Sequence, residues 1–225
     1  MRTKTKSMVV TFAVATALVA GAVAAAPAQA SSGAPSPAAK TLGENSLAAV
    51  LTSGEVGFDR NRKDFDIATA AVLAVLADNP KSPVSVLADG SVPLTAFIPT
   101  DEAFRRLVTS LTGKYINSEE KVFAAVAGLG IKTVETVLLY HVVPGATITA
   151  KQALKSNGAV LTTAQTGTIE VRVWSKAKRI TLVDKDPDSN NPRVILSLTD
   201  INKGNKQLAH GIDRVLRPVD LPKAS

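Results

Sequence analysis

The order of hydrophobic periodicities along the chain predicts an α+β fold. Apolar residues at helical spacing fill the first half and strand-like alternation fills the second. Helices that cluster ahead of strands argue against the alternating order of a parallel α/β sheet. The chain has no cysteine, so no disulfide frame can replace a core, and a single domain has to bury one.

The N-terminus reads as a targeting segment. Arg2, Lys4 and Lys6 precede an uncharged apolar run from Met8 to Ala26, and Ala28-Gln29-Ala30 offers small residues where a signal peptidase reads them. A cleaved secretory signal is expected over residues 1–30. The run is also long enough to span a bilayer, but its alanine-rich character and Pro27 favour removal. The mature protein is therefore expected to be secreted and extracellular, with the cell wall as a place it can remain, and to have no membrane span. Residues 31–43, rich in Ser, Pro and Ala, read as a flexible linker, and residues 44–225 as one domain. Losing the signal takes three basic residues and no acidic one, so the net charge falls from +7 to +4. That balance is too weak to argue nucleic acid binding, and the few aromatics do not interleave with basic residues as a stacking platform would.

In chain order, Phe65, Val72, Leu73 and Leu76 share one face of a helix that Asn79-Pro80 stops. Leu94 to Ile98 reads as a short strand, followed by a helix that Thr100 or Asp101 can cap, with Glu102 in its first turn. "SEEKVFAAVAGL" suggests a further helix. Val134, Val137, Leu138 and His141 fall at i, i+3, i+4 and i+7, which places His141 on a buried stripe that Pro144 brings to an end. "GTIEVRVW" alternates Ile169, Val171 and Val173 against Glu170, Arg172 and Trp174. "RITLVD", "RVILSL" and "HGIDRVLRPVD" read as less regular strands.

Residues with catalytic spacing are scarce. There is no thiol nucleophile, no G-x-S-x-G elbow and no phosphate-binding glycine loop. Two distant histidines show no zinc-ligand spacing. "DKDPDSNNPRVI" sets Asp184, Asp186, Asp188 and Asn190 at alternate positions, but Ser189 and Ile195 stand where a calcium loop needs glycine and glutamate. A solvated hairpin loop is expected there, and "KAKR", Lys176 to Arg179, reads as a solvated hairpin end. His141 and His210 both lie on largely apolar faces, so each ring is expected to be neutral, packed and hydrogen-bonded. No catalytic residue, cofactor or metal site is expected.

Three segments together resemble the fasciclin-like domain: "LTAFIPTDEAFRRL", "VLLYHVVPGATIT" and "NKQLAHGIDRVLRP", in order, from about Asp64 to Pro218. The resemblance implies a wedge of about seven strands in two sheets, with helices packed along one edge. It implies a cell-surface or matrix adhesion module rather than an enzyme. Thr100, Asp101, His141, His210 and Asp213 would be its structural signature, and Tyr140-His141 the counterpart of a proposed adhesion motif. Thr100 or Asp101 is expected to be the hydrogen-bond partner of His141. A surface or matrix protein, or a wall polymer, is the expected partner of a monomer. Two other readings stay open: carriage of a small apolar ligand (a lipid or pigment) in a groove of the same fold, and a hydrolase built on two carboxylates.

Overall fold

The computed structural model describes residues 41–54 and 57–221. The expected signal and residues 31–40 of the expected linker lie outside the described residues. Gly43, at the linker's end, is already pinned, because its N–H donates to Gly204 and its carbonyl accepts from Lys206.

The first helix, α1 (Leu47–Thr52), is capped by Ser46, whose hydroxyl accepts the Ala49 N–H. Next comes α2 (Asp66–Asp78), which stops before Asn79-Pro80. Its buried residues are Ile67, Ala68, Thr69, Ala71, Val72 and Val75, whereas Leu73, expected inward, is 46% exposed. Phe65, Val72 and Leu76 pack in the helical core as expected, and only Leu73 turns outward.

Strand β1 (Leu94–Pro99) leads into α3 (Asp101–Thr112), which ends at Gly113 in the left-handed conformation that glycine adopts without strain. Then follow α4 (Glu119–Ala127), capped by Ser118, and α5 (Ile131–Tyr140). The short strand β2 (Val142–Pro144) and the single-turn α6 (Ala150–Ala153) complete the middle of the chain; a reciprocal Thr149–Gln152 capping box opens α6. The last third supplies β3 (Val160–Thr162), β4 (Thr168–Trp174), β5 (Arg179–Val183) and β6 (Gln207–Ile212).

The strands form two three-stranded sheets. In the first, β1 is central, antiparallel to β2 and parallel to β6, with Phe97 opposite His210. The second is the antiparallel meander β3-β4-β5. Alternation along β1 divides the core. Leu94, Ala96 and Ile98 join the helices in one cluster, and Phe97 joins Ile169, Val171, Ile180 and Leu182 of the second sheet in another. The first sheet is thus a middle layer, with helices on one face and the second sheet on the other, and the fold is α+β.

Six strands occur among the described residues, not seven. "RVILSL", expected as a strand, forms only single bridges, Arg193 to Thr181 and Val194 to Ile212, before a 3-10 turn at Leu196–Leu198. Pro192 has no N–H to extend the pairing. The bridges still matter, since this segment touches β5 on one side and β6 on the other and joins the two sheets. The closing strand also stops earlier than expected, at Ile212.

Candidate interaction surface

Tyr140 and His141 end α5 and point into different parts of the core. His141 Nδ1 is 2.7 Å from the Val137 carbonyl and Nε2 accepts the Leu216 N–H at 2.9 Å. Only the neutral ring protonated at Nδ1 satisfies both contacts. Burial pushes its pKa down to about 4, against a smaller opposing effect of the bond to Val137. The Tyr140 hydroxyl donates to the Thr168 carbonyl at 2.8 Å, its ring is fully buried, and burial raises its pKa to about 12. A Cβ on Gly167 would stand 2.8 Å from that ring, so only glycine fits there. Neither side chain is presented to a partner.

The other signature residues are tethers at separate places. Thr100 occupies the N-cap position of α3, but its side chain makes no capping bond. Asp101 reaches instead to α2, where Oδ1 accepts the Ile67 N–H at 2.9 Å. That helix begins after Phe65, which has no side-chain acceptor. The expected link from Thr100 or Asp101 to His141 is therefore replaced by Val137 and Leu216, because the ring's nearest unpaired groups belong to its own helix turn and to the C-terminal segment. Burial, and next the adjacent Asp64 carboxyl, raise the pKa of Asp101 to about 8. His210 Nε2 contacts the Ile148 carbonyl at 2.8 Å and Nδ1 accepts the Asp200 N–H at 3.3 Å, the opposite tautomer to His141. Burial lowers its pKa too. Asp213 accepts the Arg193 N–H at 2.7 Å and pairs with Arg214 at 2.9 Å.

The acidic loop is not the solvated hairpin that its composition predicts. Asp186 is buried in an ion pair with Arg217 at 2.8 Å, and Asp184 accepts the Arg217 N–H at 2.9 Å. Arg217 also holds the Ser110 hydroxyl. One buried guanidinium thus fastens the loop to the C-terminal segment and to α3. The sequence reading also misses a buried pair between Arg105 and Glu119 at 2.9 Å. Its only signal is the position of Arg105 one residue after Phe104, on the inner face of α3.

The features left at the surface are of two kinds. At the end of the β4–β5 hairpin, Trp174 is 43% exposed with the Arg179 guanidinium 4.3 Å above its ring. Lys176 and Lys178 occupy the connecting turn, with Lys178 in the left-handed region at φ 46°. Trp174 is the only tryptophan of the chain, and its place on the solvent side of the β4 alternation beside "KAKR" is the signal that could have marked it. Between α3, α5 and the C-terminal segment lies an apolar groove of about 440 Å³, lined by Leu107, Leu111, Leu129, Val137, Val219 and Leu221 among others. A second apolar space, between the helices and the first sheet, holds only about 60 Å³.

These geometries bear on a two-carboxylate hydrolase. Oxygens of Asp64, Asp101 and Glu119 lie within 4.8 Å of one another, but Asp101 and Glu119 are sealed from solvent. A glycan needs two open carboxyls on either side of its scissile bond. Among the described residues, no single helix is long and apolar enough to cross a membrane.

No curated protein matches the chain. Among solved structures, a FAS1 domain pair from the insect cell adhesion molecule fasciclin I matches over 67% of this chain and 46% of its own, at 18% identity and a TM-score of 0.45. The chain thus spans about half the length of that domain pair. The profile of the fasciclin domain matches residues 68–218, about two thirds of the sequence, and the chain belongs to the fasciclin-domain family.

Proposed function

We propose that this is a secreted, non-catalytic fasciclin domain that adheres to an acidic component of a cell surface or matrix through the end of its β4–β5 hairpin. Fasciclin domains in general serve adhesion or protein interaction and typically occur in extracellular or cell-surface proteins. The observation that carries the finer reading is the contrast between the signature and the hairpin. The polar groups of Tyr140, His141 and His210 are spent on internal bonds. A lone tryptophan, meanwhile, stands exposed under an arginine beside two lysines. An aromatic ring with a polar rim is the usual anchor of a recognition surface, and three nearby cations suit an anionic polymer or acidic protein.

The test is retention of the chain on producer-cell walls and on extracellular matrix. Trp174→Ala combined with Lys176→Glu and Lys178→Glu should reduce retention at least tenfold and weaken its salt dependence. Equal retention of the triple variant would rule the hairpin out.

The apolar groove favours a second reading, carriage of a small apolar ligand. Its volume falls in the range of small-molecule sites, whereas the space between the helices and the first sheet has room for about two waters. Protein purified from its producer would carry a co-extracted lipid or pigment visible by mass spectrometry, and a clean spectrum removes this reading.

A further inference from the structure

Carboxyl groups from three separate segments meet beneath the loop that precedes α2. Oxygens of Asp64, Asp101 and Glu119 lie within 4.8 Å of one another, and Asp64 also belongs to a second such group with Asp59 and Asp66. Asp66, Asp101 and Glu119 stand in the first turns of α2, α3 and α4, where the helix dipole favours negative charge. That explains their sign and some of their oxygens. Asp101 Oδ1 takes the Ile67 N–H; Glu119 takes Arg105 on one oxygen and the Asp59 N–H, at 2.7 Å, on the other.

It does not explain Asp64 Oδ1 and Asp101 Oδ2. Both atoms are buried, and among the described residues no backbone N–H or basic side chain reaches either; a proton shared between the two carboxyls is the one bond open to them. Asp101 is 0% exposed, so its second oxygen cannot turn to bulk water, and a buried carboxylate oxygen without a partner is costly. We propose that Asp64 Oδ1 and Asp101 Oδ2, meeting under the 59–66 loop with Asp59 and Glu119 beside them, ligate a divalent cation of the calcium type.

The donor chemistry selects the ion. Every candidate ligand is a carboxylate oxygen, a hard donor that suits Ca²⁺ or Mg²⁺ and not zinc. Ca²⁺ tolerates irregular oxygen shells drawn from several segments, whereas Mg²⁺ demands near-ideal octahedral geometry. A cleft of about 520 Å³ lies beside the cluster and is lined by two of its acids, Asp59 and Glu119, with Arg105 and Asn117. At its rim Arg62 is drawn aside to Asn117 Oδ1 at 3.0 Å and over the Tyr115 ring. Two competitors can take the ion's place: a proton shared by Asp64 and Asp101, which the raised Asp101 pKa favours at neutral pH, and Arg105. The Arg105 Nη1 has no acceptor among the described residues, and a rotation onto Asp64 would satisfy both groups without an ion. Sequence spacing does not show this site, because its ligands come from the 59–66 loop, α3 and α4.

Titration calorimetry of the full chain with CaCl₂ at neutral pH, with thermal unfolding in excess EDTA, Ca²⁺ or Mg²⁺, tests the proposal. Expected is one saturable site with Kd near 10⁻⁴–10⁻³ M, the range of extracellular calcium modules. At a tenfold excess of Ca²⁺ over Kd, Tm should rise by about 3–6 °C, and by less with Mg²⁺. Because Asp101 also caps α2, the test rests on Asp64→Asn, which should stay folded by circular dichroism and bind Ca²⁺ at least tenfold more weakly. An unmodified chain with neither heat nor Tm shift would show that a shared proton or Arg105 satisfies the acids and would overturn the proposal. Undiminished binding by Asp64→Asn would also overturn it, and would place the ion on other acids such as Asp186, Asp188 and Asp220.

Discussion

His141 Nε2 accepts the backbone N–H of Leu216 at 2.9 Å, across 75 residues of sequence. The same ring is bonded through Nδ1 to its own helix, and the His141 carbonyl accepts the Phe97 N–H at 2.9 Å. One residue therefore fastens α5, β1 and the C-terminal segment together. Replacing it with alanine leaves the Leu216 donor buried without an acceptor and opens a void. His141→Ala should cost about 2–4 kcal/mol in urea unfolding, with the largest local loss of amide-exchange protection at Leu216.

The ring also makes stability depend on pH. Unfolded, His141 takes up a proton near pH 6.5; folded, it resists until about pH 4. Between those values the unfolded state binds more protons, so the stabilisation is complete above about 6.5 and declines as pH falls toward 4. The two pKa values differ enough for a loss of about 3 kcal/mol over that window, and burial of His210 adds in the same direction. Asp101, whose folded pKa of about 8 makes the native state the better proton binder, opposes this slope over the same window. The His141 contribution is therefore read as the stability difference between the unmodified chain and His141→Gln, which should shrink from pH 7 to pH 4. An identical slope in the variant would mean that the titrating groups lie elsewhere.

The pair Asp186–Arg217 tests how the acidic loop is held. Asp186→Ala strands a buried guanidinium and should cost about 3–5 kcal/mol, whereas the double change Asp186→Ala with Arg217→Met should cost less than the sum of the single changes. Additivity in a double-mutant cycle would show that the loop does not depend on this pair.

Gly167 and Tyr140 make a steric prediction. Gly167→Ala places a methyl group 2.8 Å from the Tyr140 ring and from Gln165, and should destabilise by about 1–3 kcal/mol. Tyr140→Phe loses only the bond to the Thr168 carbonyl, about 1 kcal/mol. Chemical denaturation should order the two in that way.

Trp174 supplies an optical probe. Being alone and exposed, it should be quenched readily by acrylamide in the native state, and Trp174→Ala should change stability by no more than about 0.5 kcal/mol. Protection from quenching on contact with a partner would mark the hairpin as the binding end.

Several elements are legible in the sequence because their signals are local. The stop at Asn79-Pro80, the helix in "SEEKVFAAVAGL" and the alternation of Ile169, Val171 and Val173 each depend on neighbours within a few turns or one strand. What escapes a sequence reading depends on distant partners. Asp101 looks like the cap of its own helix and serves another, 34 residues away. Arg105 looks like a surface charge until Glu119 is brought beside it, and Asp186 like a solvated one until Arg217 is. The residues at 193–198 have the composition of a strand, but they bridge two sheets and belong to neither ladder. The exposed Trp174 is hidden for the opposite reason, since alternation alone gives it no role.

The parallel pairing of β1 with β6 has a consequence for how the chain reaches its native state. All six residues of Leu94–Pro99 find their partners in Gln207–Ile212, so a polypeptide cut short before Gln207 has nothing to lay against that side of its central strand. Closure across such a long stretch is slow. A ribosome-bound intermediate would thus leave that side of its central strand open until residues 207–212 have emerged.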